Sequence, residues 1–112
     1  MSLLDDCYIS YLNLDQRLDR REHIEKELYR VGLVAGRTRG KLPEEYDMTE
    51  HRFKVMAGRT PGAVGCWMGM REMMVEAIKQ NKHCFVLEDD VVMATDFKER
   101  IDYMEKFFET HD

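Results

Sequence analysis

The apolar run Phe85-Val86-Leu87 breaks off into three consecutive acids, Glu88-Asp89-Asp90, and this junction constrains the fold more than any other stretch of the chain. A short apolar segment without polar alternation is what a strand covered on both faces looks like, and such strands belong to parallel sheets flanked by helices. Carboxylates cannot follow it into a core without partners. Residues 83–87 are therefore predicted to be a buried parallel strand, and 88–90 the place where the chain surfaces at its carboxyl end.

The rest of the chain supplies matching pieces. Cys7-Tyr8-Ile9-Ser10-Tyr11-Leu12-Asn13-Leu14 is rich in β-branched and aromatic residues and reads as an interior strand. A helix follows, with Asp19 as N-cap and Glu22 completing a capping box. Ile24, Leu28 and Val31 form its apolar stripe, and Gly32 is its stop. Residues 33–40 suggest a second, short strand, which Gly36 and Gly40 weaken. Residues 41–59 are polar and irregular, apart from one helical turn expected near 50–56.

Thr60 before Pro61 marks the start of another helix. In it Val64, Trp67, Met68, Arg71, Met74, Val75 and Ile78 keep helical phase with Arg71 alone polar, a face that should pack on a sheet. A last helix, capped by Thr95, carries the stripe Phe97, Ile101, Met104 and Phe108. The order strand, helix, strand, helix, strand, helix predicts an α/β layered fold with a mainly parallel sheet, in one domain spanning residues 1–112. Ligands of such sheets bind outside the carboxyl ends of the strands.

Composition narrows the function. With 44% hydrophobic and 35% charged residues in 112, the chain suits one globular domain rather than a disordered segment. Its net charge of −5 arises in the half after Pro61, which argues against a nucleic-acid partner, since that would require a basic face. No apolar run approaches the ~20 residues of a membrane helix. No transmembrane segment is therefore expected, and Met1-Ser2-Leu3-Leu4-Asp5-Asp6, with no basic n-region or apolar h-region, gives no expectation of a signal peptide. A cytoplasmic location follows, compatible with attachment at the periphery of the inner membrane. Cys7, Cys66 and Cys84 lack metal or redox spacing and read as small buried hydrophobes.

Three segments carry candidate chemistry. In an extended chain Glu88 and Asp90 point one way and Asp89 the other. Two carboxylates then share a side, and their repulsion is relieved by a divalent cation, by basic partners or by protonation. Magnesium or manganese fits, since each takes one or two carboxylates and keeps room for water and phosphate. Solvated loop acids are the plainer alternative. The second segment, 13–21, lies where the first strand yields to a helix N-terminus, and Arg17, Arg20 and Arg21 add donors for a phosphate. Alternatively these arginines are simply exposed, with Asp15 or Asp19 bracing one of them. The third, Thr60-Pro61-Gly62-Ala63-Val64-Gly65-Cys66, has glycines at a helix start, where they allow close approach of a ligand or of a neighbouring backbone. The methionines of that helix read as core filling, and the four histidines share no metal-ligand spacing.

These blocks resemble those of a known family. Tyr-Leu-Asn-Leu-Asp-x-Arg-x-Asp-Arg-Arg at 11–21, Thr-Pro-Gly-x-x-Gly-Cys at 60–66 and Phe-Val-Leu-Glu-Asp-Asp-Val-Val at 85–92 are similar, in this order, to the signature blocks of the family 25 glycosyltransferases. These are the lipopolysaccharide-type galactosyl- and glucosyltransferases, to which the collagen galactosyltransferases are related. The resemblance implies a GT-A-like (Rossmann-like) fold, a UDP-sugar donor and a saccharide acceptor. It further implies a Mn2+ or Mg2+ ion at Glu88 and Asp90, and contact of the nucleotide with Asn13, Asp15, Arg17, Arg20 and Asp89. There are two departures. Gly69-Met70 stands where the family usually has Ser-His. The family domain also runs well beyond its acidic motif, so the sheet is expected to be incomplete.

The leading expectation is the donor-binding part of a glycosyltransferase that moves a hexose, galactose or glucose, from UDP to a saccharide in lipopolysaccharide or glycan biosynthesis, with this chain alone inactive. A non-catalytic nucleotide- or partner-binding module on the same fold is the alternative. An open sheet edge would suit a homodimer. A phosphoacceptor domain ranks below both, because its acids would follow the first strand rather than the last.

Overall fold

The computed structural model describes residues 3–42, Glu45 and 61–110, with 61–64 described by backbone alone. The helical turn expected near 50–56 and the Thr60 cap lie outside the described residues. A short 3-10 turn, Leu3–Asp6, leads into β1 (Cys7–Leu14), followed by α1 (Leu18–Val31), β2 (Gly36–Gly40), α2 (Pro61–Lys79), β3 (His83–Glu88) and α3 (Phe97–Thr110). The sheet order is β2-β1-β3, with both pairings parallel. Leu12 is in register with Glu88, and Leu14 with Gly40, so the carboxyl ends of all three strands lie at one end of the sheet. This is an open, all-parallel, Rossmann-like α/β fold, as the alternation of apolar runs and helical stripes requires.

β1 is the interior strand, and its alternation separates the layers. Ile9, Tyr11, Phe85 and Leu87 face a core formed with Ile24, Leu28 and Val31 of α1 and with Met93, Phe97 and Ile101 around the start of α3. Leu12 points to the other face, where α2 crosses the strands. There a Cβ on Gly69 would stand 2.5 Å from Leu12 Cδ1, and one on Gly65 would stand 2.9 Å from the Lys41 carbonyl oxygen. The glycines thus serve the close approach of α2 to a neighbouring side chain and backbone. α1 ends as expected at Gly32, whose φ of 70° is left-handed and whose N–H caps the carbonyls of Leu28 and Tyr29.

Several local expectations are corrected. β3 is the edge strand among those described, and its His83 and Cys84 are exposed. Leu87 is its one fully buried residue, because nothing described pairs with its second edge. The buried face of α2 carries Met68, Met73 and Ala77, whereas Trp67, Met74, Val75 and Ile78 are exposed. Leu12 packs against Gly69, and this contact sets the rotation of the helix. Met104 and Phe108 of α3 are also exposed, and its stripe is buried at Phe97 and Ile101. α1 starts at Leu18 with Arg17 at the cap position and no side-chain cap, so Asp19 lies in the first turn. α3 starts at Phe97, which puts Asp96 rather than Thr95 beside it. The cysteines are not buried: Cys7 and Cys66 are half-buried and Cys84 is exposed. Among the described residues, no helix is long and apolar enough to cross a membrane.

Candidate functional site

The chain leaves β1 for β2 on one side and returns on the other side of β1 as β3, so a crevice opens between the carboxyl ends of β1 and β3. At the first wall, Arg17 N–H donates to the Leu14 carbonyl at 3.0 Å, a tight turn that starts α1 directly above β1. Asn13, the last inward residue of β1, is 2% exposed. Its Nδ2 donates to the Arg17 carbonyl at 3.2 Å and to Asp89 Oδ2 at 2.8 Å, while its Oδ1 accepts from Arg37 Nε at 3.1 Å. Both amide protons are therefore used.

The second wall is the acidic turn. Asp89 is buried, and Glu88 and Asp90 are exposed, as expected, but β3 ends at Glu88, so a turn rather than an extended chain sets the directions of Asp89 and Asp90. Val91 N–H closes the turn on the Glu88 carbonyl at 3.3 Å. One face of α1 then grips the following loop. His23 Nε2 donates to the Val91 carbonyl, Glu27 accepts from Met93 N–H, and Arg30 donates to the Met93 carbonyl, at 2.8, 3.0 and 2.6 Å. The exposed acids thus project from a turn held from behind.

The arginines differ in what they have left to offer. Arg17 is committed to Asp19 through Nε and Nη2 at 3.0 and 2.9 Å. This fork, helped by the Arg20 backbone N–H, lowers the Asp19 carboxyl to about 2. Arg20 has a long contact, Nη1 to Asp89 Oδ1 at 3.5 Å, and its side chain is 43% exposed. Asp89 therefore turns one oxygen toward Asn13 and the other toward Arg20.

These elements enclose a cleft of about 300 Å³ whose lining includes Asn13, Arg17, Arg20, Glu88, Asp89 and Asp90. Gly65 and Cys66 bring the third sequence segment to the opposite rim, beside Lys41 and Leu42 at the exit of β2. Cys66 Sγ lies 3.8 Å from Glu88 Oε1, and burial, followed by the charge of Glu88, pushes its thiol pKa up. Asp15 is not in the lining. It is exposed and held by Arg37 and Arg39, chiefly by the Arg37 hydrogen bond, which lowers its carboxyl pKa. Gly69 and Met70 are likewise outside the lining.

Sequence reasoning did not single out Arg37 or Lys41. Arg37 lies near the start of the short β2 and Lys41 just after its end, in a stretch without apolar periodicity, and no local signal marked them.

Comparison with known families places the chain that carries this cleft. The family model described as glycosyltransferase family 25, lipopolysaccharide biosynthesis protein, matches residues 7–112. The chain belongs to glycosyltransferase family 25. No curated protein and no solved structure matches it.

A glycosyltransferase acts on a sugar donor and an acceptor, so the cleft must be judged against a donor's charged groups. Among the described residues, no group of three or more His, Cys, Asp and Glu is gathered into a metal cage. Asp89 already serves Asn13 and Arg20, which leaves Glu88 and Asp90. Two exposed carboxylates suit a hard divalent cation that completes its shell with water and phosphate oxygens.

Proposed function

We propose that this family 25 glycosyltransferase chain binds the diphosphate of a UDP-sugar in the cleft between β1 and β3, in order to transfer a hexose to a saccharide acceptor. The supporting observation is that one cleft at the switch point is lined both by the part-exposed guanidinium of Arg20 at the start of α1 and by the exposed carboxylates of Glu88 and Asp90. Arg20 would take phosphate oxygens, with the first turn of α1 adding the positive end of its dipole. Glu88 and Asp90 would hold Mn2+ or Mg2+, which supplies Lewis-acid neutralisation of the leaving diphosphate when bound. Asp89 stays with Asn13 and keeps Arg20 at the rim. In this reading Asn13 and Asp89 shape the site, and Asp15 orients Arg37 from outside it.

Cys66 and Cys84 provide the test, since one lines the cleft and the other is exposed on β3. UDP with manganese should slow alkylation of Cys66 and leave Cys84 unchanged, and Asp90→Asn should abolish the manganese dependence. At about 100 times Kd, UDP with manganese should also add about 2.7 kcal/mol of stability. Equal rates at Cys66 with and without UDP, together with no thermal shift, would remove the donor site.

A further inference from the structure

We infer that Arg37, a β2 residue outside the cleft, is a positioning residue that sets which way the Asn13 carboxamide faces and thereby holds Asp89 and Arg20 in place. The inference rests on the donor-site reading and deepens it. A carboxamide is nearly symmetric in shape, so a buried Asn side chain can sit in either of two orientations unless its neighbours choose one. For Asn13 the neighbours on one side are acceptors, the Arg17 carbonyl at 3.2 Å and Asp89 Oδ2 at 2.8 Å. Turned over, Asn13 would present its oxygen to a carboxylate and a carbonyl, with no proton between them.

On the opposite side stands Arg37, whose Nε donates to Asn13 Oδ1 at 3.1 Å and whose Nη2 donates to the Asn13 carbonyl at 3.1 Å. Arg37 carries donors alone and accepts nothing, so it admits just the orientation in which Oδ1 faces it. The two-point grip on one residue's side chain and backbone is of the kind a planar guanidinium makes and an ammonium does not. Asp15 Oδ1, 2.7 Å from Arg37 Nη2, fixes the guanidinium from the solvent side. The chain of contacts therefore runs from Asp15 through Arg37, Asn13 and Asp89 to Arg20. It begins at the sheet edge and ends in the cleft.

The consequence is specific. With the amide fixed, Asp89 receives a proton donor on Oδ2 and keeps Oδ1 for Arg20. Without Arg37 the buried Asn13 Oδ1 loses its donor and the amide is held from one side alone, so its grip on Asp89 loosens and the carboxylate is drawn further onto Arg20. That guanidinium then has less to offer a phosphate.

The test uses Arg37→Met, which keeps an apolar stem and removes the donors, and Arg37→Lys, which keeps the charge without the fork. Two measurements are made. Exchange of the Asn13 carboxamide protons, followed by NMR in the absence of ligand, should be slow in the wild type and fast in Arg37→Met. UDP affinity with manganese, measured calorimetrically on folded protein, should fall about tenfold in Arg37→Met, with partial rescue in Arg37→Lys; loss of one hydrogen bond to a charged group is of that order.

Ile101→Val, a core variant remote from the cleft, should lower Tm and leave UDP affinity unchanged. Arg37→Met and Arg20→Met should combine less than additively in UDP affinity, because both act on the same phosphate contact. Unchanged Asn13 exchange, unchanged UDP affinity or strict additivity in these variants overturns the role of Arg37. Absence of UDP binding in the wild type instead overturns the donor-site reading from which this one starts.

Discussion

Asn13 Nδ2 lies 2.8 Å from Asp89 Oδ2, a hydrogen bond between residues 76 positions apart that ties the end of β1 to the turn after β3. Both partners are buried, and the acceptor is charged. Asn13→Leu fills a similar volume but leaves Asp89 Oδ2 without its donor and Arg37 Nε without its acceptor. The expected cost is about 1–3 kcal/mol, the usual penalty for buried polar groups left unpaired. Urea unfolding followed by circular dichroism should show the midpoint fall at constant slope. An unchanged midpoint would mean that the pair contributes nothing net to stability.

Gly65 and Gly69 both face close neighbours, but of different kinds. A Cβ at Gly65 meets the Lys41 carbonyl oxygen at 2.9 Å, while one at Gly69 meets Leu12 Cδ1 and Cδ2 at 2.5 and 2.8 Å. Leu12 can rotate aside, and a helix gains up to about 1 kcal/mol when alanine replaces glycine. The backbone carbonyl cannot give without moving the exit of β2. Gly65→Ala should therefore cost about 1–3 kcal/mol and Gly69→Ala much less. Gly69→Ser should be best tolerated beside Leu12→Val, which trims the side chain it meets. The reverse order of costs in thermal unfolding would place the tight contact elsewhere.

Much of the fold was legible because it rests on features that a sequence shows directly. The apolar runs marked β1 and β3, and Gly32 marked the end of α1 by its backbone freedom, while the short polar β2 was a weaker reading. The face of α2 was not legible. The helix is apolar on most sides, so periodicity could not choose between Trp67 and Met73, and the residues that set its rotation are glycines, which have no hydrophobic side chain to count. The cap of α1 was misplaced for a related reason, since a backbone turn from Leu14 to Arg17 starts the helix before Asp19 can act as a cap.

At the site, the strand end at Glu88 was legible from the apolar run before it, whereas Asp89 and Asp90 lie in a turn rather than in the extended chain that the sequence suggested. The burial of Asp89 depends on Asn13 and Arg37, two residues that converge from different strands, and no local pattern announces such a meeting.

Asp19 gives the clearest pH dependence. Its carboxyl, ordinarily at 3.8, is lowered to about 2, first by the Arg17 hydrogen bonds and then by the Arg20 backbone N–H. The folded value lies below the unfolded one, so ionised Asp19 stabilises the fold above the ordinary carboxylate range. That contribution is lost as the pH falls from 3.8 toward about 2. Asp15, Glu25, Glu27 and Asp96 are lowered too, chiefly by hydrogen bonds from Arg37, Arg21, Arg30 and Arg100, and add to the same acid limb. Carboxyl carbon NMR should find Asp19 titrating near 2, and Arg17→Gln should return it toward 3.8. A wild-type Asp19 that already titrates at its ordinary value would show that the Arg17 fork does not persist in solution.

The last prediction separates two arginines that the sequence presents as equals. Arg17 and Arg20 both line the cleft, yet Arg17 spends two donors on Asp19 at 3.0 and 2.9 Å, whereas the contact of Arg20 with Asp89 is 3.5 Å. A phosphate would have to displace Asp19 to use Arg17, and would find Arg20 with most of its five N–H groups open. Arg20→Met should therefore weaken UDP binding in the presence of manganese by about tenfold or more, the range for a hydrogen bond to a charged group. Arg17→Met should weaken it less, and its main effect should be the rise of the Asp19 titration. Lowering the salt from 200 to 20 mM should strengthen wild-type binding more than Arg20→Met binding, since a charge contact to phosphate is screened by salt. If titration calorimetry finds Arg17→Met the more damaging, the Arg17–Asp19 fork opens to receive the nucleotide, and the anion contact belongs to the turn after β1 rather than to the second residue of its arginine pair.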